Sequence, residues 1–197
     1  MLSSLLAHTP PPDRPLEEGQ LLDDHLRNVA SLAAEYAGKF GAAEAGRLLG
    51  LAHDLGKAAP GFQLYLKAAH AGNQRPKVPH SNPGAAGARK VLGGLVPIVQ
   101  GHHAGLPSKG DAKAKLEESE EKQAEETAAA SELARVMGLA AVSSPEYSKK
   151  PRDVEMLLRL LLSALTDADF LDTEAFYGDK GRGNHPPLDK YRDALDH

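Results

Sequence analysis

The sequence predicts an all-α, single-domain protein, and three observations carry that expectation. Leu, Ala and Val dominate the apolar residues, while aromatics are only 5% and Trp is absent; a core of that kind favours helices over a β-sandwich. Apolar residues recur at helical spacing through most of the chain, and no segment alternates as a half-buried strand would. The 197 residues, 41% hydrophobic and 25% charged, suffice for one domain with a sizeable core. The expected architecture is a bundle of roughly five or six helices without β-structure.

Taken in order, residues 1–19 are Pro-rich and read as an irregular leader. Leu22, Leu26, Val29, Ala30, Ala33 and Tyr36 then fall on one helical face, with Gly41 as a stop. "AAEAGRLLGLAHDLG" predicts a second helix ending near Gly56, and "APGFQLYLKAAHAG" a third, with Pro60 suited to its first turn. "NQRPKVPHSNPG" reads as a loop carrying His80. "AAGARKVLGGLVPIVQGHH" reads as a helix in two pieces, because Gly93, Gly94 and Pro97 interrupt it. "AGLPSKGD" is another loop.

Residues 111–136 predict one charged, Ala-rich surface helix within a 108–150 insertion, followed by the linker "SSPEYSKKP". "DVEMLLRLLLSALTDADFLDTEAF" is apolar almost all round and predicts a central buried helix. The expected organisation is therefore a leader over 1–19, a helical domain over 20–177 and a polar tail over 178–197.

Composition also excludes some chemistry. Without cysteine, disulfides, thiolate metal sites and a Cys nucleophile are impossible, so any metal must be held by His, Asp or Glu. No signal-peptide pattern or membrane-length apolar run is present, which predicts a cytoplasmic protein. The net charge of −4 is weak evidence against a nucleic-acid binder, yet two bound divalent cations would offset it where a phosphate docks.

The chain has nine histidines. His53 and Asp54 stand side by side among Leu48, Leu49, Leu51, Ala52 and Leu55. A buried ionised carboxylate must be paired or hold a metal, and a buried Asp–His hydrogen bond or a helix cap is the ordinary alternative. His102 and His103 stand together at a helix end, where a turning backbone would let both face one ion. His80 lies in a loop stiffened by prolines. His25 precedes core-facing Leu26 in the first helix. Asp167 and Asp169 end the most hydrophobic helix and point in different directions. His70, near a helix end, is expected to be structural. His8, His185 and His197 lie in polar flanks and carry no expectation. Taken singly, each of these has a bland structural reading.

Their order changes the weight. The run His25, His53-Asp54, His80, His102-His103, Asp167 resembles the HD superfamily of metal-dependent phosphohydrolases. "LAHDLGKAAPGFQLYL", "HSNPGA", "GHHAGLP" and "LLSALTDADFLDTEAF", in that order, further resemble the HD nuclease of type I CRISPR systems, over roughly residues 20–177. No helicase motif is present. The resemblance implies a helical bundle around a buried dinuclear metal site. His25, His53, Asp54 and Asp167 would hold one ion, and Asp54, His80, His102 and His103 the other. It also implies cleavage of single-stranded DNA in type I CRISPR interference, an antiviral defence, with a helicase partner and the CRISPR RNA-guided surveillance complex.

Phosphodiester hydrolysis at neutral pH suits such a site, because two metals about 3.5–4 Å apart activate water and neutralise the oxygens of an in-line displacement. Asp54 has two oxygens with which to bridge them. Imidazole-rich shells suit Mn²⁺, Fe²⁺, Co²⁺ or Ni²⁺ better than Mg²⁺. Lys57, one turn after His53, could contact a phosphate oxygen or the attacking water; a solvent-facing lysine is the alternative. Asp54 and Lys57 are thus the expected catalytic pair. Base specificity is not expected, since no aromatic stacking platform appears, and Lys109, Lys113, Lys115, Lys149, Lys150 and Arg152 could guide a strand. The alternatives are an HD phosphohydrolase acting on small or cyclic nucleotides, and a helical binding module with a purely structural metal.

Overall fold

The computed structural model describes residues 4–142 and 151–178. It is mostly helical, as expected. α1 (Leu22–Gly38) buries Leu22, Leu26, Val29, Ala30, Ala33 and Ala37 along one stripe, and Asp23 and Asp24 complement the dipole of its first turn. After a turn in which Gly41 takes a left-handed φ of 76°, α2 (Ala43–Ala52) packs back on α1.

That packing is unusually close. A Cβ at Gly46 would run into the Ala33 carbonyl oxygen, and one at Gly50 into the Ala30 backbone. Two glycines one turn apart, set against the alanines of α1, let the backbones meet without side chains between them. This close seam brings the His25 and His53 rings to 5.1 Å between centroids.

α2 stops at Ala52, earlier than the expected Gly56. His53 and Asp54 therefore occupy the turn at its end rather than its interior, and a 3₁₀ turn, Leu55–Ala58, follows. α3 (Pro60–His70) carries Pro60 in its first turn, as expected. His80 immediately precedes α4 (Ser81–Gly87); short helices α5 (Arg89–Leu92) and α6 (Val96–Gly101) lead to His102.

Three expectations need correction. The leader is not irregular throughout: β1 (Leu6–His8) pairs antiparallel with β2 (Gln20–Leu21), so a small ribbon exists where no β-structure was expected. Leu6 and Ala7 are buried, and Leu6 N–H donates to Gln63 Oε1 at 2.9 Å. A three-residue strand is too short to show alternation.

Residues 111–136 form two helices, not one. α7 (Lys109–Lys122) is capped by the Ser108 hydroxyl, which accepts from the Asp111 N–H at 3.1 Å. The chain breaks at Gln123 before α8 (Ala124–Val136). α8 is not merely a surface element, because Ala130, Leu133 and Ala134 join the core. It packs on α4 where Gly87 leaves room for Ala130.

The last helix, α9 (Pro151–Tyr177), is not buried all round. Leu161, Ala164, Leu165, Ala168 and Asp172 face inward, while Met156 (58% exposed) and Phe170 (58%) face out. It lies across α1 and α2 and touches α6. Most of the 143–151 linker and the 179–197 tail, with His185 and His197, lie outside the described residues. Among the described residues no helix is long and apolar enough to cross a membrane.

Candidate metal centre

The two ends of the site are positioned by different devices. His25 comes from the first turn of α1, on its core stripe, and His53 from the end of α2, the two helices being joined by the glycine seam. His80 is set by a second close approach: a Cβ at Gly56 would collide with the His80 carbonyl. The main chain just after Asp54 is therefore pressed against the main chain of His80. His102 and His103 project from the end of α6.

These groups converge on Asp54, which is 1% exposed. Its Oδ2 lies 3.5 Å from both His25 Nε2 and His53 Nε2. Its Oδ1 lies 3.1 Å from His80 Nε2 and 3.4 Å from His102 Nε2. One carboxylate thus turns one oxygen to each of two histidine clusters. His25, His53, Asp54 and Asp169 offer ligand atoms all within 4.8 Å of one another, and so do Asp54, His80, His102 and His103.

The α9 ligand differs from expectation. Asp169 Oδ1 lies 3.4 Å from His25 Nε2 and 3.6 Å from His53 Nε2. Asp167 is outside both clusters, exposed, and lines a groove with Tyr36 and Lys39. Residues two apart on a helix point about 200° away from each other, so one of the pair must face outward. The inward stripe runs Leu165, Ala168, Asp172, and Asp169, four residues after Leu165, shares its side.

The imidazoles are oriented for ligation. His25 Nδ1 donates to Asp172 Oδ2 at 2.7 Å, His53 Nδ1 to the Gly50 carbonyl at 2.9 Å, and His102 Nδ1 to the Val99 carbonyl at 2.6 Å. With Nδ1 engaged, each ring turns Nε2 into the site, and the outer partner sets tautomer and basicity. His25 Nε2 and His53 Nε2 are 3.2 Å apart, as are His80 and His103 Nε2 at 3.1 Å. Nitrogen lone pairs at that distance require a proton or a cation between them. Asp54 Oδ1 and His102 Nε2 are buried without a hydrogen bond, and Asp54 Oδ2 has an ion pair with Lys57 but no hydrogen bond. Orphaned acceptors facing one another fit divalent ions well.

The Asp54 carboxylate is faced by protonatable imidazoles and by Lys57. Lys57 is 5% exposed, so the solvent-facing alternative is overturned; its Nζ pairs with Asp54 Oδ2 at 2.5 Å. Burial raises the Asp54 carboxyl, but Lys57, His53 and His80 outweigh it and hold Asp54 well below the usual carboxylate range. Burial opposes charge on His25, yet the carboxylates of Asp169, Asp172 and Asp54, which accept from its ring, push it up to about 10. His102 is likewise raised by Asp54 against the effect of burial. Full burial pushes His53 down.

Two functional neighbours escaped the sequence reading. Asp172, 7% exposed, accepts hydrogen bonds from His25, Gln20 (2.6 Å) and Asn28 (2.8 Å). His8 of β1 meets His25 edge-on at 5.0 Å, and burial pushes its pKa down to about 3. An outer-shell acid has no motif of its own. His8 sits in a strand that the sequence does not reveal. Of the expected guiding cations, Lys109, Lys113, Lys115 and Arg152 are exposed, and Lys149 and Lys150 lie outside the described residues.

A helical scaffold on which an adjacent His-Asp pair joins two His-rich clusters is the HD class of candidate metal site. The model for the HD domain of Cas3 matches residues 18–169, and the chain belongs to that family. No curated protein matches it. Membership implies a CRISPR-associated nuclease role, and the two clusters could bind metal ions.

Proposed function

We propose that the chain is a metal-dependent nuclease that hydrolyses phosphodiester bonds of single-stranded DNA in type I CRISPR interference. It acts there with a helicase partner and the RNA-guided surveillance complex. The observation that carries the reading is Asp54, with one oxygen toward each histidine cluster. His25, His53, Asp54 and Asp169 hold one ion; Asp54, His80, His102 and His103 hold the other. The imidazole count favours Mn²⁺, Fe²⁺, Co²⁺ or Ni²⁺ over Mg²⁺. When bound, the ions supply Lewis acidity toward the phosphate and lower the pKa of water.

The chain's own groups do the rest. Asp54 would serve both clusters, and its low proton affinity keeps it anionic at neutral pH. Asp172, Gly50 and Val99 hold the imidazoles in the ligating tautomer. Lys57, whose buried ammonium lies beside Asp54 Oδ2, would offer its charge to a non-bridging phosphate oxygen or the attacking water.

The test combines elemental analysis of the purified protein with cleavage of circular and linear single-stranded DNA under Mn²⁺, Co²⁺, Ni²⁺ and Mg²⁺. Nucleoside triphosphates and cyclic nucleotides serve as competing substrates. The expected result is two ions per chain and DNA cleavage weakest with Mg²⁺. His53→Ala and Asp54→Ala should lose both metal and cleavage. Full turnover by repurified variants, or turnover of small nucleotides alone, would overturn the assignment.

A further inference from the structure

The two clusters are buried except on one side. His103 is exposed, and Asp169, at 17%, is open where α9 passes the site. From that side a groove of about 540 Å³ runs outward, with His102, His103 and Leu106 on one wall and Arg159, Ser163 and Thr166 of α9 on the other. Arg159, Ser163 and Thr166 are spaced four and three apart, so they share one face of the helix. Three residues further on, the same face reaches Asp169. Arg159 lies about 15 Å up the helix from Asp169. An anion held at both places must be an extended one.

We propose that this groove is a strand-binding channel for single-stranded DNA, in which Arg159 holds a phosphate flanking the one to be cut; the proposal rests on the nuclease reading above. Ions held by the two clusters would supply positive charge at the inner end, and the Arg159 guanidinium supplies it at the outer end. Ser163 and Thr166 line the path between, with the Thr166 hydroxyl donating back to the Leu162 carbonyl at 3.0 Å. A guanidinium paired with a phosphate carries no sequence information, so the proposed contact is to the backbone and independent of sequence. In the free protein Arg159 is engaged by Glu155, its neighbour one turn away, at 2.8 Å. Both side chains are more than 60% exposed, and a surface pair of this kind is weak enough for a phosphate to take over the guanidinium. Glu155 is therefore a competitor for the same charge.

The measurement is fluorescence anisotropy of a labelled phosphorothioate oligothymidylate, which resists cleavage, with the Mn²⁺-loaded protein across a salt series. Arg159→Glu should weaken binding at least tenfold. Arg159→Ala should flatten the log–log salt slope by about 0.7, the loss of one single-strand phosphate contact. Glu155→Gln should tighten binding about two- to threefold, an outcome that no folding defect can imitate. Arg135→Glu is the matched control: Arg135 sits in the same kind of exposed pair, with Glu132 at 2.7 Å, but on α8, away from the groove. Its binding should equal the parent's.

Equal binding by Arg159→Glu and the parent overturns the channel and leaves the nuclease reading intact. A parent that hydrolyses bis(p-nitrophenyl) phosphate but neither binds nor cuts the oligonucleotide overturns the DNA substrate, and the channel with it.

Discussion

The two candidate ion positions share Asp54 but are built differently. Around the first, His25 is braced by Asp172, which is itself held by Gln20 and Asn28, and His53 by the Gly50 carbonyl. Its histidines are fully buried. Around the second, only His102 has such a brace; His80 Nδ1 is buried without a partner, and His103 is exposed. A braced, dry cluster holds an ion tightly, and an open one exchanges it and admits a substrate oxygen. Under the two-ion proposal, the asymmetry would give the first cluster the more permanent ion and the second the working face.

The largest effect expected from breaking this comparison is at α9. Asp169→Ala removes the only carboxylate that the first cluster does not share, so it should drop metal content from two ions to one. Cleavage should fall by more than the ~10–100-fold typical of an outer partner. Asp167→Ala, two residues away on the exposed side, should keep both ions and change stability by no more than about 0.5 kcal/mol. Elemental analysis of the two variants separates them, and loss of metal on changing Asp167 would reverse the assignment.

A smaller effect is expected at Asp172. Asp172→Ala leaves every ligand in place but frees the His25 ring, and should weaken the first ion about 10–100-fold while sparing the second. Titration of the metal-free protein with Co²⁺, followed by its visible absorption, resolves two steps in the parent. In the variant only the tighter step should shift. Glu in place of Asp should recover part of the affinity, which loss of folding would not allow.

The smallest effect is in protons. His25, at about 10, carries a proton in the metal-free folded protein at neutral pH, whereas the unfolded chain, near 6.5, has mostly lost it. A raised folded pKa stabilises fully below about 6.5, and that contribution is lost as pH rises through about 10. Ligation needs the neutral ring, so metal binding must expel this proton. First-ion affinity should therefore climb up to about tenfold per pH unit between 7 and 9. Calorimetry in buffers of different ionisation enthalpy reads the release directly; the absence of any release would contradict the protonated His25.

How much of this was legible in the sequence differs between the two clusters in an instructive way. His80, His102 and His103 each stand in a short stretch made conspicuous by prolines, glycines or adjacency, and the structure brings all three to Asp54. His25, His53 and Asp54 were equally visible. Asp169 was not, because a helix with leucines on many sides does not announce its inner face. Phase could have been taken from Leu165, whose i+4 neighbour is Asp169 and whose i+2 neighbour is Asp167. Asp172 reaches the site through His25, 147 positions away, while the ribbon and His8 depend on pairing Leu6 with Leu21 and on contact with His25, and no local pattern encodes either. The break at Gln123 has no Gly or Pro to mark it.

The abutment of Gly56 on the His80 carbonyl has a consequence for tuning the site. With main chain seated on main chain, the spacing of the two candidate clusters is set by backbone as well as by side chains. Under the two-ion proposal, a cation of different radius would be accommodated at the rim, by His103 or Asp169, with little change in that interval.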